Sequence, residues 1–481
     1  MKLKLSTKIS YGVGGVADEA MYTLAGTFLL FFLTSVAGLA PAAAGSIVAL
    51  GSVWEAICGP VTGFLSDNME TRYGKRKPFL LAASFPVALT TTLLFTKINA
   101  PYGLKLIYYL IMTLLYWQAF AMYFVPYLAW GSDLTSDYKE RTVLRTFAYF
   151  FNQLGMAFGL ILPTAFVDFL MNMGKSRATS WMFTGGIIGI ACAAALLTCG
   201  FTIHETDNPG FVGKSGSKKA GLIPQLKRMF CEYAEIVKLR PIRYIIGASL
   251  LYLAANTFFL SDRVYFFTYN QRLSAKQITT IMTLIILAGI SLSPLVAFIC
   301  GRIDKKHVFT AGVGMSGVFL AAGKFVGIES FRGSCVASAL YCIGNTCYWQ
   351  LMPSMIYDVC EAAELASGEK HSGQVISLQA LSESLSVAIG SQMLGIILQL
   401  AGFEAAAKDQ SALTLSWIDS SFSIIPGICM LVVAAVIYKH PINGERFNAI
   451  LLALKRKERG EEIDMEEFSD IYGRRAIERL K

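Results

Sequence analysis

Charge is scarce in this chain. Only 16% of its 481 residues are Asp, Glu, Lys or Arg, against about a quarter in an ordinary soluble domain, which excludes a water-exposed globular surface for most of the length. Missing too are the constellations that mark common catalytic classes. There is no His-Glu-x-x-His, no phosphate-cradling loop ending in Gly-Lys-Ser/Thr, and no Gly-x-Ser-x-Gly with partners for a triad. Enzymes of those kinds are not expected. The ten cysteines form no Cys-x-x-Cys pair and no metal-ligand spacing, which predicts reduced structural thiols and neither a metal nor a cofactor.

What is abundant is apolar. Hydrophobic residues make up 54% of the chain and its mean hydropathy is +0.51; the 42 Gly and 32 Phe suit membrane helices and their interfaces. Crossing hydrocarbon takes about 20 apolar residues, and by that rule twelve segments emerge. They cover roughly 11–37, 44–67, 78–96, 106–131, 147–168, 181–201, 242–268, 278–300, 308–328, 334–358, 374–400 and 413–438. The longest connection, 202–241, divides them six and six. The expected fold is an all-α membrane protein, with twelve transmembrane helices in two pseudo-symmetric six-helix bundles. Its parts are an N-terminal bundle 1–201, a central cytoplasmic loop 202–241, a C-terminal bundle 242–440 and a cytoplasmic tail 441–481. The start, MKLKLSTKISYGVGG, is basic but lacks a small-residue cleavage site, so the first apolar run is expected to stay as a helix.

Orientation follows from the bias of Lys and Arg toward cytoplasmic loops. With both termini inside, 32 of the 42 basic residues fall on the cytoplasmic side and eight on the other. Basic residues in short clusters between apolar runs indicate topology rather than a nucleic-acid face. The densest early cluster, GFLSDNMETRYGKRKP at 63–78, joins segments two and three, and Pro78 suits a helix start. A shorter echo, FICGRIDKKHVF at 298–309, joins segments eight and nine, where a six-plus-six repeat requires one. Asp67 with Arg72 and Arg76 in the first copy, and Asp304 in the second, read as gate elements, with helix capping as the plainer alternative. The central loop holds FVGKSGSKKAG, a flexible stretch, and PQLKRMFCEYAEIVKLR, an amphipathic surface helix. In the tail, KRKERGEEIDMEEF is expected to be helical and solvated.

Twelve helices in two halves with Gly/Asp/basic hinges resemble the major facilitator superfamily. KISYGVGGVADE (8–19), VWEAICGPVTGFLSDNMETRYGKRKPF (53–79), FVPY (124–127) and IYDVCEAAELASGEKHSGQVISL (356–378) are similar to the melibiose-carrier-type glycoside, pentoside and hexuronide:cation symporters. The resemblance implies alternating access, a small-molecule substrate and cation coupling. Glu19 and Glu55 match two acids of that family's cation site. The site departs at Gly59, where a second acid of helix two is expected, and at Phe120, Ala121 and Phe124 on helix four. Sodium needs several oxygen ligands, so a proton is the expected coupling ion rather than sodium. Sugar-site positions depart as well, with Asp18 and Glu19, Phe124, Leu128 and Ala148 at the matching places.

Ionisable residues at membrane depth are costly and are functional candidates by default. Low dielectric disfavours a bare carboxylate, so Glu55 can load and release a proton; its plain alternative is an interhelical hydrogen bond. Asp18 and Glu19 are adjacent and point about 100° apart on a helix, so both cannot face one site; of these two coupling candidates Glu19 is favoured, and Asp18 is expected to face a neighbouring helix or the opposite half. Asp262 with Arg263 reads as a gate-side salt bridge, Lys324 as a snorkelling side chain, and Glu383 as a contributor to a substrate cavity. Tyr22, Trp117, Gln118, Tyr123, Tyr127, Asn152, Gln153, Asn256, Tyr348, Trp349 and Gln350 are candidates to line that cavity, though most membrane aromatics serve packing. The expected function is symport of a glycoside or hexuronide with a proton. The alternatives are a carrier of lysophospholipid or another amphipath, and a membrane receptor or enzyme. A monomer in the bilayer is expected, and the lack of any Asn-x-Ser/Thr sequon favours a bacterial inner membrane.

Overall fold

The structure, a computed structural model, describes residues 3–69, 71, 74–134, 138–203, 237–326, 330–367, 372–405, 407, 409–459, 461 and 463–472. Arg72, the side chain of Asp67 and nearly all of the central connection lie outside the described residues. Twelve long helices follow one another: α1 Leu5–Ser35, α2 Pro41–Asn68, α3 Lys77–Leu94, α4 Tyr102–Asp133, α5 Tyr138–Asn172, α6 Arg177–Thr202, α7 Arg240–Asn270, α8 Ala275–Cys300, α9 Lys305–Val326, α10 Phe331–Ser367, α11 Ser372–Leu400 and α12 Ala412–Tyr438. A shorter α13, Gly444–Glu458, and a final turn α14, Ser469–Tyr472, complete the described chain. Among the described residues there is no strand. In lipid, backbone N–H and C=O groups must be satisfied within their own segment, which leaves the helix as the spanning form for so apolar a chain.

Eleven of the helices are long and apolar enough to cross a membrane. The twelfth, α10, is diluted by Ser334, Ser338, Asn345, Thr346 and Gln350 and continues to Ser367, well past its apolar segment. Helix ends follow local chemistry. Pro41 opens α2 and Pro78 sits in the first turn of α3, where a missing N–H costs nothing. Ser176 caps α6 by accepting from Thr179 N at 3.1 Å. Matching helices of the two halves share irregularities: Pro60 in α2 and Pro294 in α8, Pro126 in α4 and Pro353 in α10, and π turns at Ala25–Leu29 in α1 and Phe266–Asn270 in α7. That correspondence is the six-plus-six repeat expressed in backbone geometry.

Contacts group the chain into two compact units. The first holds Met1–Lys219 with Leu260–Ile286 and Ala388–Ile418. Within it α5 lies closely on α1. Gly155 and Gly159, four residues apart, face the backbone of Val16 and Ala20, and a Cβ on Gly159 would stand 2.5 Å from the Ala20 carbonyl. Lipid supplies no hydrophobic drive between helices, so small residues that let backbones approach provide the attraction through packing. The later turns of α1 meet the end of α7. Ser261 Oγ donates to Gly26 O at 2.9 Å, Arg263 Nη2 to Thr27 Oγ1 at 2.9 Å, and Thr34 shares a 2.6 Å hydroxyl bond with Tyr265. Nearby, Gly45 of α2 and Gly395 of α11 touch; a Cβ on Gly395 would sit 2.5 Å from the Pro41 carbonyl.

The second unit holds Ala220–Phe259, Leu287–Val387 and Asp419–Lys481. Two expectations are corrected in it. Lys324 does not simply snorkel: its Nζ donates to Ser420 Oγ at 2.5 Å and lies 3.5 Å from Asp419 Oδ2. The tail is docked rather than fully solvated. Ile450, Ala453, Phe468, Ile471 and Tyr472 are buried, Tyr472 donates to the Ala362 carbonyl of α10 at 2.5 Å, and Arg446 pairs with Asp470 at 2.8 Å. The apolar residues interspersed in the charged tail give it a face to bury, a pattern that net charge obscures. His440 closes α12 at 2% exposure, with Lys306 Nζ donating to its carbonyl at 2.7 Å and its Nδ1 3.2 Å from Ile442 O.

Two outcomes follow from this packing. Gly155→Leu is expected to lower the unfolding midpoint in detergent by an overpacking cost of about 1–3 kcal/mol. Gly247→Ala, with nothing within 4 Å of a new Cβ, should be neutral or stabilising by about 0.5–1 kcal/mol; equal effects would refute the close-contact account. Burial pushes the His440 imidazole down from its ordinary value to about 4, with the nearby lysines adding to the shift. Neutral in the fold and protonated when unfolded, it supports stability above about pH 6.5, and that support drains as pH falls toward 4. Scanning calorimetry over this window should show a smaller loss in His440→Leu than in the parent.

Candidate functional site

In the first unit, α1 carries the acids Asp18 and Glu19 and α2 carries Glu55, each partly buried. Asp18 and Glu19 diverge as their adjacency requires. Asp18 faces α5, where Asn152 Nδ2 donates to its Oδ2 at 3.1 Å. Glu19 turns elsewhere and accepts from Thr23 Oγ1, one turn along α1, at 3.3 Å. No Lys, Arg or His stands within ion-pair distance of Glu19 among the described residues. Glu55 on α2 is partly buried, and its near neighbour Cys58 donates to Gln118 Oε1 of α4 at 2.9 Å. Asp18 thus meets a neighbouring helix, one of the two placements expected for it.

Aromatic residues of α4 form the wall behind these acids. Trp117 is 4% exposed and meets Tyr22 edge to face at 6.1 Å; Gly51 of α2 leaves room for its indole, which a Cβ there would approach to 2.8 Å. Tyr123 is fully buried. Tyr127 stacks on Tyr11 at 4.6 Å, donates to the Tyr11 carbonyl at 2.9 Å and accepts the reciprocal bond at its own carbonyl from Tyr11 at 3.4 Å. That clasp commits Tyr127 to joining α1 and α4. Asn152 is likewise committed to Asp18, and Gln153 beside it is partly buried.

In the second unit a polar network links α7, α10 and α11. Tyr341 donates to Asn256 Oδ1, and Tyr252 donates to Asn345 Oδ1 at 3.3 Å. Tyr252 stacks on Tyr348 at 3.9 Å with the rings 7° from parallel. Gln379 Nε2 donates to the Tyr348 hydroxyl at 3.4 Å and to Glu383 Oε1 at 3.3 Å. Trp349 is exposed, and Gln350 Oε1 is buried without a partner. Sequence reading named Asn256, Tyr348 and Glu383 but missed Tyr252, Tyr341, Asn345 and Gln379. The signal was present as Tyr341, Asn345 and Tyr348 at helical spacing on α10, and as Gln379 four residues before Glu383 on α11.

The gate candidates are distributed. Arg76 is buried and donates to Ser66 Oγ at 2.6 Å. Asp304 accepts from Lys306 N at 2.8 Å, capping α9, and from Gly444 N at 2.5 Å, fixing the start of α13. The basic residue beside it, Lys305, pairs instead with Asp358 at 2.5 Å. Asp262 and Arg263 are both buried, with the guanidinium reaching Thr27 of α1. Among the described residues no cluster of His, Cys, Asp and Glu could hold a metal ion.

A family model described as MFS/sugar transport protein matches residues 10–444. The glucuronide carrier protein homolog of Escherichia coli (strain K12) is 24% identical over 471 residues, covering 95% of this chain and 97% of the relative. The isoprimeverose transporter of Lactiplantibacillus pentosus is 22% identical over 441 residues, covering 90% and 88%. Among solved structures, a D-xylose-proton symporter superposes with a TM-score of 0.64 at 14% identity, over 90% of this chain and 97% of that one. Such a likeness speaks for the fold.

The Tyr11–Tyr127 clasp makes its own test. Tyr127→Phe removes one buried hydrogen bond and should cost about 0.5–1.5 kcal/mol of stability. Solute flux in proteoliposomes should be retained, because the ring still stacks; loss of flux at unchanged stability would give Tyr127 a direct role.

Proposed function

Because this chain belongs to the MFS/sugar transport protein family, integral membrane transporters and not enzymes, we propose that it moves a glycoside or hexuronide by proton symport. Glu19 and Glu55 are the coupling acids in this reading. Its main support is the Glu19 carboxyl, partly buried midway along a membrane helix with a neutral hydroxyl as its hydrogen-bond partner. A carboxyl with no cation nearby is costly in hydrocarbon as an anion and gains from taking a proton. Loading the proton favours loading of the solute. A ligand shifts a conformational balance by its differential affinity for the two states, and the halves then carry both across.

The lysine and arginine distribution supports both termini on the cytoplasmic side, and the lack of an Asn-x-Ser/Thr sequon supports a bacterial inner membrane. Asp67, Arg72, Arg76 and Asp304 lie on the cytoplasmic side of that arrangement, Asp262 and Arg263 toward the other. The α1–α7 bonds from Gly26 to Thr34 then serve as the outer closure. Both helices carry a π turn there, a feature frequent at functional sites.

Reconstituted protein separates coupling from transport. Glu55→Gln, and likewise Glu19→Gln, should lose accumulation driven by a proton gradient while keeping counterflow exchange of sugar. If either variant still concentrates substrate as the parent does, that residue is not a coupling site; accumulation that follows a sodium gradient instead would replace the proton in this reading.

A further inference from the structure

Building on the reading of this chain as a sugar carrier, we propose that Gln379 and Glu383 of α11 form a subsite for neighbouring hydroxyls of an uncharged sugar, one that rejects sugars bearing a carboxylate. The inference rests on hydrogen-bond supply and demand within the second unit. Gln379 is 6% exposed, and its amide nitrogen is spent on Tyr348 and Glu383. Its Oε1 is buried and has no hydrogen-bond partner. A buried acceptor left unmet is costly, so it marks a place where a donor belongs.

Glu383 repeats the demand beside it. Among the described residues its one hydrogen bond is the 3.3 Å contact from Gln379, and no Lys, Arg or His lies within ion-pair distance. The proposed subsite is the ionised form of Glu383, whose carboxylate is acceptor-only with about four lone-pair sites, so most of its capacity is open. Two adjacent acceptors one helical turn apart, with no donor of their own to offer, match a vicinal diol, which brings two O–H donors on neighbouring carbons. The pair is held in position from behind: Tyr348 is fixed by its stack on Tyr252, which is in turn anchored on Asn345.

The same inventory disfavours an anionic ligand. A sugar carboxylate brings acceptors to acceptors and a like charge to Glu383. Three basic residues of this unit are occupied elsewhere: Lys305 with Asp358, Lys306 with the His440 carbonyl, Lys324 with Asp419 and Ser420. Relatives named for a glucuronide and for isoprimeverose leave the charge of this chain's solute open, whereas the residues of α11 favour the neutral class.

The test uses matched sugars that differ only at C6. Thermal unfolding of the full-length protein in detergent is followed with the methyl glucoside and methyl glucuronide, and with the methyl galactoside and methyl galacturonide. Midpoint shifts should give the neutral member of at least one pair an affinity tenfold or more above its uronide. A uronide that binds as tightly as its neutral partner overturns this inference and leaves the sugar-carrier reading standing. If no member of either pair shifts the midpoint and none is transported by proteoliposomes, both readings fall. Glu383→Gln keeps the shape and removes the charge; with an unliganded midpoint close to the parent's, it should narrow the neutral-to-uronide ratio at least fivefold. An unchanged ratio assigns the discrimination elsewhere and overturns the role of Glu383.

Discussion

The cost of placing charge in hydrocarbon governs how this molecule is built. Apolar sequence is cheap there and polar backbone must satisfy itself, so the chain becomes a series of helices. Each ionisable side chain left at depth then needs a reason. Most have one in the form of a partner: Asp18 with Asn152, Arg263 with Thr27, Lys324 with Asp419. Glu19 and Glu383 each accept one hydrogen bond among the described residues, from Thr23 and Gln379, with no cation within ion-pair distance there.

Packing between helices answers to a second consequence of the lipid solvent. Helices in lipid gain little by hiding apolar side chains from one another, so they hold by approaching closely. The Gly155 and Gly159 face on α5 and the Gly45–Gly395 contact between α2 and α11 are such approaches. The second of these joins helices drawn from the two halves of the sequence within one compact unit, beside the α1–α7 hydroxyl bonds. Aromatic packing joins the hydroxyl bonds there, with Phe31 of α1 meeting Tyr265 of α7 edge to face at 5.3 Å.

The architecture was legible because it is written in composition, which tolerates substitution: segment count, the six-plus-six division and the Pro78 helix start all follow from local rules. Positions along α1 were legible too, since the 100° step between adjacent residues sends Asp18 and Glu19 apart without reference to any partner. What escaped were properties of pairs. Nothing in the sequence says that Tyr127 stacks on Tyr11 across 116 positions, so a residue proposed for a cavity is instead spent on a clasp. The tail was misread for a related reason: in KRKERGEEIDMEEF the charges dominate any average, while Phe468, Ile471 and Tyr472 are buried and Tyr472 reaches the Ala362 carbonyl of α10.

Lys305 and Asp304 carry that last point into the repeat itself. The echo of the 63–78 hinge at 298–309 suggested a carboxylate locked to its own basic cluster. In the second copy Asp304 spends its oxygens on two backbone N–H groups, one of them at the head of the tail helix, and Lys305 turns to Asp358 on α10. A carboxylate that caps a helix and fixes α13 couples the loop between α8 and α9 to the tail, and Tyr472 on the Ala362 carbonyl ties the far end of the tail to α10. The charges of the second hinge are therefore used to join elements within one unit, so any movement of α9 or α10 takes the tail with it.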